Sequence, residues 1–170
     1  MTVLESLLEK IRAELLRMEE DCTHSAKAHF NASDRWANGN YWFGIPSIIL
    51  SVTAGAAFFK SHAEIAGAMS SIVSILTALM TFLKPSERAT GHKNSGDQYL
   101  SLRNDARVFR EIELEQLDDS TAAIAGMNAL PKRRNELNQA SPQFSNRDFR
   151  TAKKGIEAGE ALHAVDKGIN

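Results

Sequence analysis

Three histidines, His24, His29 and His92, are the side chains of this sequence best suited to chemistry near neutral pH. An imidazole titrates at about pH 6.5 and ligates transition metals through either ring nitrogen, so a cluster of three would bind a metal or sense protons. His29 and His92 lie close in sequence to long apolar stretches, where packed histidines usually serve as hydrogen-bonded structural groups. That structural role is the expectation for all three, with no metal site. A second candidate is basic. Pro131–Arg134 (PKRR), with Arg103, Arg107 and Arg110, would suit anionic lipid or a signalling nucleotide. Glu111, Glu113 and Glu115 lie close enough to offset these arginines, so a solvated, salt-paired face is expected instead. There is no Ser-His-Asp order, no HExxH and no Gly-rich phosphate loop. The lone Cys22 rules out a disulfide framework and a thiolate metal cage. Neither an enzyme nor a cofactor is expected.

The elements that must position these residues follow from where charge is missing. The 170 residues carry 20 Lys and Arg against 21 Asp and Glu, and a net charge of −1 argues against direct nucleic-acid binding. No Asp, Glu, Lys or Arg occurs between Arg35 and Lys60, nor between Glu64 and Lys84. Each uncharged stretch is about 19 to 24 residues long, and a helix needs roughly 20 to cross hydrocarbon. Only Lys60–Glu64 separates them, so a transmembrane hairpin is expected, with spans at about 38–59 and 65–83. Tyr41, Trp42 and Phe43 suit the aromatic belt at one end. The first stretch begins too far into the chain for a cleaved signal peptide. Lys27 and Arg35 precede the first span, Lys84, Arg88 and Lys93 follow the second, and the turn carries Lys60 alone. Both termini are therefore expected to be cytoplasmic, in a multi-pass protein of the bacterial inner membrane.

The flanks read as helices, making the chain all-α. Leu4, Leu8, Ile11, Leu15, Met18, Cys22, Ser25, His29, Ala32 and Trp36 alternate spacings of four and three, a coiled-coil-like seam. After the membrane, His92, Gly96, Tyr99, Leu102, Ala106, Phe109 and Ile112 share one face. The second span is expected to continue as one helix to about Leu117, with a bend at Pro85. Hairpin connectivity makes this helix antiparallel to the first, so His29 and His92 would face each other. Further on, Asp119 or Ser120 would cap a helix carrying Ile124, Met127 and Leu130, which Pro131 bends or restarts. SPQF breaks the chain. Ser145 and Asp148 form a capping box before a helix that buries Phe149, Ala152 and Ile156. The expected layout is a single domain over 1–170. It comprises an N-terminal cytoplasmic helix (1–37), the hairpin (38–83) and C-terminal cytoplasmic helices (84–170).

Two further residue sets stand out. Ser47, Ser51 and Gly55 on the first span, and Ser70, Ser74, Thr77 and Thr81 on the second, make small and hydroxyl stripes. They either let helices pack closely or line a narrow aqueous path when copies assemble. No ionisable residue lies in either span, which argues against an ion-coupled transporter. The second set is the membrane exit, Lys84, Pro85, Arg88, His92, Gly96 and Tyr99. It is expected to act as a mechanical joint against the seam residues Cys22, Ser25, His29 and Trp36, with Gly96 letting backbones approach beside Cys22 and Ser25.

Trp42-x-Gly44-Ile45-Pro46, Gly55, the run FLKPSER from Phe82 to Arg88, and His92, Gly96 and Tyr99 occur here in order. The segment Glu136–Pro142 and Ala152-Lys153-Lys154 follow them. Over roughly residues 20–160 this resembles the SLATT family, the SMODS and SLOG-associating two-transmembrane effector domains. The tail beyond Gly159 has no counterpart in the resemblance. The resemblance implies a membrane effector of bacterial anti-phage or conflict systems. Such an effector would form homo-oligomers, perforate the inner membrane when triggered, and stop growth or kill the cell. It further implies a partner that senses: a second-messenger synthase, a SLOG-type sensor or a reverse transcriptase. The alternative is a membrane-anchored helical scaffold that tethers a partner protein at the cytoplasmic face.

Overall fold

A computed structural model describes residues 3–117 and 120–163. Asp119 and the side chain of Leu4 lie outside the described residues. All regular structure among the described residues is helical: α1 (Val3–Phe59), α2 (Ala63–Leu83), α3 (Pro85–Val108), a π-helical turn (Phe109–Glu113), a 3-10 turn (Leu114–Gln116), α4 (Ser120–Ala140) and α5 (Asn146–Glu157). Two of these helices carry the long apolar stretches. The chain divides into two compact units. One joins the residues up to Ala32 with those from Gly91 onward, and the other is Ser33–Thr90.

In the first unit the seam on α1 is the core. Ile11, Leu15, Met18 and Cys22 are buried with Tyr99, Leu102 and Ala106 of α3, Phe109 and Leu114 of the turns, and Ala123 and Leu137 of α4. Leu8 packs against this cluster, and His29 and Ala32 continue the buried face. Ser25 is half-buried. The face on α3 holds as far as Phe109, but Ile112, expected to be buried, is 54% exposed. The reason is the π turn. Its wider i→i+5 bonding inserts residues into the helical count, so the next inward position becomes Leu114, 1% exposed.

Two other faces are rotated from expectation. On α4, Ile124 is 42% exposed, and the inward set is Ala123, Met127, Leu130 and Leu137. Gly126 explains the choice: a Cβ there would sit 2.5 Å from the Phe109 ring, so the aromatic occupies that space. On α5, Asp148, Ala152 and Gly155 are buried, while Phe149 is 41% exposed and Ile156 half-buried. Pro131 does not restart the helix, since α4 runs through it from Ser120 to Ala140. The capping box at α5 forms: Ser145 Oγ accepts from Asp148 N, and Ser145 N donates to Asp148 Oδ2.

In the second unit, α1 ends in a Schellman turn. His62 N donates to Ala57 O at 2.9 Å and Ser61 N to Phe58 O at 3.0 Å, with Ser61 at φ 63° in the position glycine usually takes. The expected single helix from the second span to Leu117 is interrupted. Lys84 stands at φ 47°, ψ 53°, its N–H closing α2 on Met80 O, while its carbonyl accepts the first bond of α3 from Arg88 N. Pro85 causes the break. Its ring disfavours αR geometry in the preceding residue, and it has no N–H to continue the ladder, but it fits the first position of a helix.

Candidate functional site

The second unit exposes what a folded chain normally buries. Of the most apolar stretch of each long helix, only 11% and 6% is buried. Ile45, Ile48, Ile49, Val52 and Phe58 on α1, and Ile65, Ile75 and Phe82 on α2, are each more than half exposed. A core helix of a soluble protein would be covered. A lipid-facing helix would not, and this pair has the length and composition to cross a bilayer.

Within that apolar surface the expected small and hydroxyl residues fall into two grooves. Ser51, Gly55, Ser70 and Ser74 line one of about 700 Å³ together with Gly67 and Ala66. Ser74, Thr77 and Thr81 line another of about 750 Å³ along one side of α2. Ser47 is half-buried near the other end. Three of the hydroxyls are satisfied within their own helix: Ser47 donates to Phe43 O at 2.7 Å, Ser74 to Ser70 O at 2.9 Å, and Thr81 to Thr77 O at 2.9 Å. The hydroxyls of Ser51, Ser70 and Thr77 find no hydrogen-bond partner among the described residues.

At the polar end of this unit, Trp36 is flanked by guanidinium groups. Arg35 lies 5.1 Å and Arg88 4.8 Å from the indole centroid, both cation–π contacts. Lys84 pairs with Glu87 at 3.1 Å, and Pro85 is buried.

In the first unit the structure brings together two of the three histidines. His29 Nδ1 and His92 Nδ1 are 3.0 Å apart, with the residues 2% and 3% exposed. Tyr99 stacks on His29 at 5.5 Å and donates its hydroxyl to Asn138 Oδ1 at 2.6 Å. Phe144 meets His29 edge-on at 5.0 Å. Burial, then the neighbouring His92, hold His29 down at about 4, and burial raises the Tyr99 phenol. His24 is not part of the pair. It lies against Phe149, and its Nδ1 is buried with no partner among the described residues. No group of three or more metal-capable side chains occurs among the described residues.

Gly96 lies in this region, but the space of its missing side chain is filled by Phe30, whose ring carbons would lie 2.7–3.0 Å from a Cβ. The expected approach of the backbone beside Cys22 and Ser25 is thus replaced by an aromatic plug that the sequence reading missed. Cys22 is buried, and that burial pushes its thiol up to about 11, leaving it protonated and unreactive.

Most of the basic cluster is paired, and only Glu111 of the expected glutamates takes part, at Arg110. Arg133 bonds Asp105 at 2.5 Å, Arg134 bonds Asp21 at 2.9 Å, and Arg103 reaches Ala161 O at 3.4 Å. Arg110 makes a two-pronged bond to Glu19 at 2.7 and 3.2 Å and also pairs with Glu111, whereas Glu115 pairs with Arg12. Spacing along one helix could not reveal partners supplied by another.

No curated protein and no solved structure matches this chain. One family model does, that of the SMODS and SLOG-associating 2TM effector domain family 4, over residues 7–167. The two exposed apolar helices agree with its two transmembrane segments and with association with a membrane. The match spans nearly the whole chain, which therefore belongs to the SMODS and SLOG-associating 2TM effector domain family 4.

Proposed function

We propose that this chain is a membrane effector of a bacterial conflict system that assembles in the inner membrane and opens a path for small ions. In this reading the apolar parts of α1 and α2 form a transmembrane hairpin with Lys60–His62 on the far side. Both termini and the first unit lie in the cytoplasm as a helical bundle. The trigger comes from a defence partner, such as a second-messenger synthase, a SLOG-type sensor or a reverse transcriptase. The spans hold no ionisable residue, so the path would discriminate weakly among ions, which suits growth arrest or cell death.

One observation carries this reading. The hydroxyls of Ser51, Ser70 and Thr77 sit on otherwise lipid-like helices without a partner among the described residues. A hydroxyl in a medium that offers no hydrogen bond loses about 4–8 kcal/mol, so each of the three must either turn to its own i−4 carbonyl, as Ser74 and Thr81 do, or find a partner across the groove. Water in a pore, or a second copy of the chain, would supply that outside partner and leave the hydroxyl facing the groove.

The test is reconstitution into dye-loaded liposomes, with Ser70→Leu, Ser74→Leu and Thr77→Leu combined as the comparison. Wild-type protein should release the dye, and the triple variant should insert and assemble but leave vesicles sealed. Equal leakage from both would remove the hydroxyl face from the mechanism. Sealed vesicles with assembled wild type and its partner present would favour the tethering scaffold.

A further inference from the structure

The side chains that join α1 to α3 in the first unit include a pair that cannot accept two protons and stay together. His29 and His92 meet through their Nδ1 atoms at 3.0 Å. One ring must donate its N–H, and the other must accept with a lone pair. A first added proton can settle on the far nitrogen of the donor ring, leaving the contact intact. A second must take the acceptor's lone pair. Two N–H groups would then point at each other across that distance, each on a cation, at a site 2–3% exposed.

Titratable and charged groups within two turns of the pair or on the helices beside it include Cys22, His24 and Lys27 on α1, Lys93 and Tyr99 on α3, Arg134 on α4 and Asp148 on α5. Lys27 is tied to Glu160, Lys93 to Asp97 at 2.8 Å, and Arg134 to Asp21 at 2.9 Å. The Asp148 carboxylate takes the Ser145 N–H and O–H at 3.0 and 2.7 Å. Tyr99 and Phe144 wall off the His29 ring with aromatic faces and edges. Burial and His92 account for the low affinity of His29 for protons.

We propose that the His29–His92 pair is a proton-operated latch, closed while at least one ring keeps its Nδ1 lone pair and forced open when both rings are cationic. Opening would free α3 from α1 around Tyr99 and Phe30, on helices whose chains lead into the apolar spans. α1 does so without interruption, and α3 does so through Lys84. The consequence for permeability rests on the effector reading above; the latch itself does not.

The experiment uses the full chain in lipid nanodiscs and proteoliposomes. Hydrogen exchange is followed in residues 22–32 and 91–99 between pH 7.5 and 4, corrected for intrinsic rates. The comparison is the double variant His29→Asn, His92→Asn, whose amides keep a donor and an acceptor but take no proton. Wild type should lose protection in both segments by at least about tenfold on acidification, and the variant should not. Equal loss in both proteins, or no loss in wild type, overturns the latch. Should the variant fail to fold, nitrogen-15 NMR of the wild-type histidines decides. One Nδ1 protonated and the other bare at neutral pH, giving way together in acid, supports the latch. Two independent titrations at the ordinary imidazole value overturn it. Dye release measured in parallel separates the two claims. Opening without leakage at any pH upholds the latch and counts against the effector reading, while segments 22–32 and 91–99 still protected at pH 4 overturn the latch whether or not the vesicles leak.

Discussion

Replacing Gly96 by alanine should destabilise the first unit, although the same change elsewhere on α3 should stabilise it. An alanine in a helix interior is favoured over glycine by about 0.8–1.0 kcal/mol. At Gly91 only this term operates, because a Cβ there would lie 4.0 Å from Pro142 Cγ, an ordinary contact. At Gly96 the new methyl would meet Phe30 Cε1 at 2.7 Å, Cδ1 at 2.9 Å and Cζ at 3.0 Å. Carbon atoms prefer about 3.5–4.0 Å, so the ring must retreat by most of an ångström within a packed face. Overpacking of this kind costs about 1–3 kcal/mol. Subtracting the helix gain leaves Gly96→Ala destabilising by about 1 kcal/mol, against a stabilisation of similar size for Gly91→Ala. The assay is equilibrium urea unfolding in detergent, followed by far-ultraviolet circular dichroism. Repeating Gly96→Ala in a Phe30→Ala background closes a double-mutant cycle, in which the substitution should become stabilising and the coupling should be about 2 kcal/mol. If Gly96→Ala stabilises as much as Gly91→Ala in the presence of Phe30, the plug is not what holds α1 against α3.

Three other outcomes are expected. Ser145→Ala removes the N-cap of α5 and should cost about 1 kcal/mol, with faster hydrogen exchange confined to the first turn of that helix. Glu19→Ala leaves the largely buried Arg110 guanidinium without its two-pronged partner and should cost about 3 kcal/mol; a loss below half that in urea unfolding would mean that Glu111 takes over. His29 makes stability depend on pH with a definite sign. Its folded value of about 4 lies below the ordinary 6.5, so the folded protein binds fewer protons. Stability is therefore complete above about pH 6.5 and falls as pH drops toward 4, by about 3 kcal/mol in total. His29→Asn should flatten that part of the urea-midpoint profile.

What was legible in the sequence was whatever repeats. The two charge-free stretches, the α1 seam from Leu8 to Cys22 and the face from His92 to Phe109 are periodic signals, and local pattern suffices to read them. The meeting of His29 and His92 followed from counting along two helices outward from the same boundary. The Ser145–Asp148 capping box is local chemistry and was equally readable. The failures are non-local. Ile112 turned outward because Phe109 opens a π turn, and Phe109 does so while seated on Gly126, a contact between helices that no spacing announces. Ile124 and Phe149 are likewise displaced: the neighbouring Ala123 and Asp148 are buried in their stead. The arginines found partners on other helices, Glu19, Asp21 and Asp105. Phe30 on Gly96 reads in sequence as an ordinary aromatic and an ordinary glycine. At Lys84 the following proline announces a bend, but the sharper outcome, a left-handed residue ending one helix and starting the next, is a property of the folded backbone.

The proposed topology has α1 and α2 crossing the membrane, with Lys60–His62 on one side and the first unit on the other. Single cysteines at Ser61 and Ser101, both exposed, test it directly in a Cys22→Ala background. In spheroplasts treated with a membrane-impermeant maleimide, the cysteine at position 61 should be labelled at once, and that at position 101 only after the membrane is breached. Labelling of both or of neither in sealed spheroplasts, or recovery of the protein in the soluble fraction, would contradict the account.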